Sequence, residues 1–212
     1  MIDALSIAKP ALITAVFVLW VRRRRWMLPE QRAFFASLIL GFAVEITSSL
    51  LQHSSRHTTW IYTLYIPLEM MLLLHFAHEA LGRVRWRWVI GVAALLYLAL
   101  LAFEASGELI ILRSKSTLLG WSILTFLIAY LMVRLAEDSL LPLWKDQRFW
   151  VYLSILVFVG PAIPYVGLLN RVYAEDPRLA SELFVIIEVL FIVRYGSALL
   201  AGFLLRPRPV VP

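Results

Sequence analysis

The stretch from Trp88 to Phe103 reads WVIGVAALLYLALLAF and contains no charged residue. Arg83, Arg85 and Arg87 precede it and Glu104 follows it. About 20 apolar residues in a helix cross a hydrocarbon core about 30 Å thick, so a charge-free block bounded in this way reads as a membrane span. Similar blocks recur on both sides. They cover about Ala4 to Val21, Ala33 to Leu51, Trp60 to Leu81, Thr117 to Ala136, Phe149 to Leu169 and Glu182 to Leu204. Each must be a helix, because an open strand in lipid leaves backbone groups unpaired. The expected fold is all-α: a polytopic membrane bundle of about seven transmembrane helices. It forms one domain over residues 1–205. Residues 206–212 are expected to be a short disordered cytoplasmic tail, since the prolines of Arg206-Pro-Arg-Pro cannot extend a helix.

Composition agrees. Of 212 residues, 61% are hydrophobic and 16% charged, against about half and a quarter in a soluble domain. The spans and their connections use nearly the whole chain, so chemistry is expected in the membrane or on very short loops. There is no cysteine, which excludes disulfides, thiol catalysis and thiolate metal sites. The first block lacks a basic leader and is followed by its positive cluster, so it reads as a span and not as a signal peptide.

The basic surplus, 20 Lys+Arg against 14 Asp+Glu, points to orientation and not to nucleic acid. One side of the seven-span arrangement collects Arg22 to Arg25, Arg32, Arg83, Arg85, Arg87, Lys145, Arg148, Arg206 and Arg208. The other collects Lys9, Arg56, Arg113, Lys115, Arg171 and Arg178. The richer side is expected to be cytoplasmic, placing the N-terminus outside and the C-terminus inside, in a bacterial inner membrane. Arg134 and Arg194 lie in spans near the cytoplasmic side and are expected to snorkel to it. Trp26, Trp60, Trp86, Trp88, Trp144 and Trp150 fall at span ends, as an interfacial aromatic belt does.

Ionisable groups inside a bilayer are costly and mark function by default. Glu45, Glu69 and Glu188 lie in the second, third and seventh spans. At 1.5 Å per residue, Glu45 is roughly 20 Å from the inner face, and Glu69 and Glu188 roughly 13 and 9 Å below the outer one. Glu45, Ser48, Ser49 and Gln52 form one polar stripe, and Tyr62, Tyr65 and Glu69 another. Pro67 frees the carbonyl of Thr63 for use by a site, and His53 and His57 lie in the loop above. The expected ligand site is Glu45, Tyr62, Tyr65, Glu69 and Glu188, around an outward-facing acidic cavity suited to a small cation or amine. The plainer alternative is buried carboxyls that only fix helix packing. His75, His78 and Glu79 share a helix face near the inner end of the third span, a spacing that can hold a metal or relay a proton. Polar residues at headgroup level account for them more simply, so no metal or cofactor is expected. Gly160-Pro-Ala-Ile-Pro164 predicts a kink or local unwinding of the sixth span.

Absent residues exclude a rhodopsin and demote, without excluding, an intramembrane hydrolase, because carboxylates alone can hold some metals. The seventh span has no lysine for a retinal Schiff base. It also lacks the histidine pair of seven-helix hydrolases of the adiponectin-receptor and ceramidase type. No phosphate loop, dinucleotide fingerprint or serine elbow is present. Aligning the third and seventh spans sets Glu69 on Glu188, His75 on Arg194 and Phe76 on Tyr195. Spans one to three and five to seven would then be parallel repeats around an inverting fourth, as in small solute transporters.

Glu45, the run Trp60-Ile-Tyr-Thr-Leu-Tyr-Ile-Pro-Leu-Glu69, Pro142 to Arg148 with Phe149-Trp150, and Tyr195 together carry a resemblance. The chain is similar to small bacterial seven-helix membrane proteins without an established activity, and to the membrane sensor regions of some histidine kinases. Where those carry Asn or His in the region from Glu188 to Phe191, this chain has Glu188. The resemblance implies a sensor-like bundle and no particular activity. With the chain used up by spans, a signal is expected to pass to a partner protein in the membrane or at the cytoplasmic loops. A small-solute transporter and a carboxylate/histidine metal-dependent intramembrane hydrolase are the alternatives.

Overall fold

The structure is a computed structural model. It describes residues 2–53, 59–82, 84–104, 114–139 and 142–205, with the side chains of residues 2–8 among those outside the description. Seven α-helices and no strand occur among the described residues. They are α1 (Ile2–Arg22), α2 (Pro29–His53), α3 (Thr59–Leu81), α4 (Val84–Glu104), α5 (Ser114–Asp138), α6 (Gln147–Glu175) and α7 (Pro177–Leu204). Single 3-10 turns at Arg24–Trp26 and Leu143–Lys145 lead into α2 and α6. Five helices, α3 to α7, are long and apolar enough to cross a membrane. The polar stripe of α2 lowers its hydropathy, and α1 is described with side chains over only part of its length. The expected tail, 206–212, lies outside the described residues.

Helix ends follow from local chemistry. Pro29 and Pro177 open α2 and α7, where a missing N–H costs nothing. Gly82 ends α3 with φ +59°, a left-handed turn that glycine adopts without a Cβ clash. Glu104, at the end of α4, accepts from the backbone N–H groups of Lys115 and Ser116 at 3.1 and 2.9 Å. A carboxylate is thereby set on the positive end of α5. Asp146 caps α6 by accepting from Arg148 N at 2.8 Å. Arg23 closes the far end of α7. Its Nη1 donates to the carbonyls of Gly202, Phe203 and Leu205 at 3.0, 2.7 and 3.1 Å, satisfying acceptors that the helix leaves free.

The packing forms a ring. α1 lies on α2, α2 on α3, α3 on α5, α5 on α6, α6 on α7, and α7 returns to α1. α4 sits outside, against α3 and α5, and exposes Trp88, Leu95 and Phe103. Lipid is as apolar as leucine, so close fit and hydrogen bonds hold such helices together more than hydrophobicity does. At the α1–α7 seam the fully buried Trp20 donates its Nε1–H to Ala198 O at 2.9 Å. Gly202 permits this approach, since a Cβ there would meet Trp20 Nε1 at 2.9 Å. At Gly120 a Cβ would meet the Tyr97 ring at 2.9 Å, which keeps α4 close to α5.

The local unwinding that the sequence allows for the sixth span does not occur. α6 is continuous from Gln147 to Glu175 and is unwound nowhere. Pro161 and Pro164 both face outward. The flanking turns carry the helix past the two missing donors.

Candidate functional site

α7 supplies the spine of the site. Glu188, Phe191 and Tyr195 recur at helical spacing, with Arg194 beside Tyr195. Arg194 is 1% exposed, and its guanidinium binds the carboxylate of Glu69, itself 5% exposed, on α3. Sequence placed Arg194 at the cytoplasmic headgroups. The structure turns it inward instead, because a carboxylate stands within reach across the ring. The guanidinium carbon also lies 4.8 Å from the centroid of the Phe158 ring and 5.9 Å from that of Tyr195. These planar contacts suit arginine better than lysine. Arg194 Nε and Nη1 have no hydrogen-bond partner among the described residues.

The second charged group is centred on Lys9 of α1. Its ammonium lies 2.9 Å from Glu45 Oε2 on α2 and 3.1 Å from Glu188 Oε1 on α7. It also stands 4.7 Å from the centroid of the Phe191 ring. All three charged side chains are largely buried, at 12%, 19% and 22% exposure. Lys9 was read as an outer loop charge because it falls near the start of its block. In the structure it is an internal ligand of two carboxylates. Sequence analysis missed it, although a lysine within an apolar block is itself the available signal.

Tyrosines lie between the groups. Tyr62 is within electrostatic reach of Glu45, Lys9 and Glu188, and Tyr65 of Glu69, Arg194 and Tyr195. The Tyr62 and Tyr65 rings meet edge to face at 6.5 Å. The hydroxyls of Tyr195 and Tyr65 converge over Gly41, where a Cβ would lie 2.7 and 3.4 Å from them. Three carboxylates and two cations thus occupy two linked clusters. Glu45 and Glu188 meet through Lys9, while Glu69 is held separately by Arg194. Of the remaining polar stripe, Ser48 is buried. The side chains of Ser49, Gln52 and His53, and all of His57, lie outside the described residues. His75, His78 and Glu79 sit toward the opposite end of α3, with ligand atoms all within 4.8 Å of one another.

No family model, curated protein or solved structure matches this chain.

Burying two charges is costly, and their attraction offsets the cost only while both are present. Glu69→Gln or Arg194→Met alone should therefore destabilise the protein by about 3–5 kcal/mol. The double variant should recover a substantial part of that loss. Denaturant titration in mixed micelles checks this. Additive losses in the double variant would show that the two side chains do not act as a pair.

Proposed function

We propose that this chain is a seven-span protein of a bacterial inner membrane, with its N-terminus outside and its C-terminus in the cytoplasm. It acts as a sensor-like bundle that binds a small cationic or amine ligand between α1, α2 and α7. The observation that carries the reading is the Lys9 ammonium set between Glu45 and Glu188 over the Phe191 ring. The chain here holds an alkylammonium with two carboxylates and an aromatic face, the elements that recognise amines. Two carboxylates against one cation also leave a formal negative charge. A ligand amine would displace Lys9 and free that end of α1 from Glu45 and Glu188, while Trp20 and Arg23 keep the other end on α7. That displacement supplies the differential binding between two states that a switch requires. A protein partner in the membrane or at the cytoplasmic loops would carry the signal onward.

A proton-coupled transporter of 3+1+3 type is the second reading. It is favoured by the ring order, in which α1–α2–α3 and α5–α6–α7 each form a consecutive unit with α4 outside. The same neighbour relations recur in both halves.

The orientation is open to a direct check, because the chain has no cysteine and any introduced one is unique. A membrane-impermeant maleimide applied to spheroplasts should label Glu175→Cys and spare Lys145→Cys. The reverse pattern would invert the topology, and labelling of both would remove α6 as a span.

Lys9→Ala should lower thermal stability and make the protein responsive to methyl- to butylammonium. A ligand at one hundred times its dissociation constant adds about 2.7 kcal/mol, or about 5–10 °C in a chain of this size. Adding Glu188→Gln should abolish most of that response. If no amine stabilises Lys9→Ala beyond its effect on the wild type, the amine site is wrong. If sealed proteoliposomes accumulate an amine when a pH gradient is imposed, the transporter reading takes precedence.

A further inference from the structure

The other end of α3 carries a group that the amine site does not use. His75, His78 and Glu79 fall at i, i+3 and i+4, the three positions that stand together on one face of a helix. One ligand atom from each lies within 4.8 Å of the other two. His78 Nδ1 and Glu79 Oε1 are already 3.3 Å apart. The two imidazoles are nearly parallel, at 21°, with centroids 6.3 Å apart. Metal–nitrogen and metal–oxygen bonds of about 2.0–2.2 Å place ligands sharing an ion about 3–3.5 Å from one another. The ligand atoms would have to draw together by about 1–2 Å at most to share one ion.

The surroundings suit a bound ion. α3 ends at Gly82, whose left-handed turn precedes α4. Between the two helices lies a groove of about 300 Å³, lined by His75, His78 and Arg87 and by apolar side chains such as Met71 and Ile90. His75 is exposed and His78 and Glu79 are partly so, leaving an entry path. His75 and His78 line the α3 side of the groove and Arg87 the α4 side.

We propose that His75, His78 and Glu79 bind a divalent transition metal ion such as Zn2+, with an open coordination position facing the α3–α4 groove. Two imidazoles and one carboxylate favour ions of this borderline class over Ca2+ or Mg2+, which take oxygen ligands. Three protein ligands leave a fourth position for water or an anion, and Arg87 stands where it would attract an anion. With the orientation proposed above, the site opens near the cytoplasmic face.

The test uses the full chain in detergent with a purification tag that contains no histidine. Equilibrium dialysis against Zn2+ should give one bound ion per chain, and Co2+ should give the visible absorption of a nitrogen- and oxygen-ligated site. His75→Ala and His78→Ala should each weaken binding by about tenfold or more. Glu175→Gln, exposed at the end of α6 and remote from the site, should leave it unchanged. If no ion binds, the proposal is overturned. It is equally overturned if binding survives in both histidine variants, because the ion would then lie elsewhere, His53 and His57 being the only other histidines in the sequence.

Discussion

A guanidinium inside a helical bundle must be answered by something, and in this chain Glu69 of α3 answers Arg194 of α7 across the ring. The desolvation cost of such a pair is several kcal/mol per ion, so it persists only where attraction and further contacts offset it. Here the Phe158 and Tyr195 rings supply part of the offset. The consequence for the fold is geometric. α3 and α7 belong to opposite arcs of the ring, and a charged contact between them fixes how the arcs face one another. Small residues make this possible. Gly41 leaves room for the Tyr195 hydroxyl, and Gly202 for the Trp20 indole.

The Lys9 group has a different character. It is more exposed than the Arg194 pair, and its cation is tethered to α1 by a flexible four-carbon stem. An ammonium is also more easily replaced by a competing cation than a stacked guanidinium is. The two clusters therefore divide the work in the proposed function. Arg194 and Glu69 hold the bundle together, and Lys9 with Glu45 and Glu188 forms the exchangeable contact. Phe191, stacked on Tyr195 at 6.2 Å, links them along one face of α7.

The helices themselves were legible, because uninterrupted apolar blocks admit little else. The site was legible only in part. Glu45, Glu69 and Glu188 stood out because carboxylates in apolar blocks are costly, and their spacing along each helix was readable from a period of 3.6. What periodicity does not encode is which helix lies beside which. That is why Glu69 separated from the other two, and why Arg194 was assigned to the headgroups instead of to a partner 125 residues away. Lys9 failed for a simpler reason: a charge near a block end looks the same whether it points along the helix to water or sideways to a carboxylate. Pro161 and Pro164 looked like a break, but both lie on the outward face of a helix that continues past them.

The account stands on the carboxylates within the bundle being ionised within ion pairs, as opposed to protonated and neutral. Infrared difference spectroscopy of reconstituted wild type against Glu69→Gln reports this directly. The account predicts that the substitution removes ionised carboxylate bands and leaves the region of protonated carboxyl stretching unchanged. Loss of a protonated carboxyl band would contradict it, because a neutral Glu69 could not be the counter-charge of Arg194.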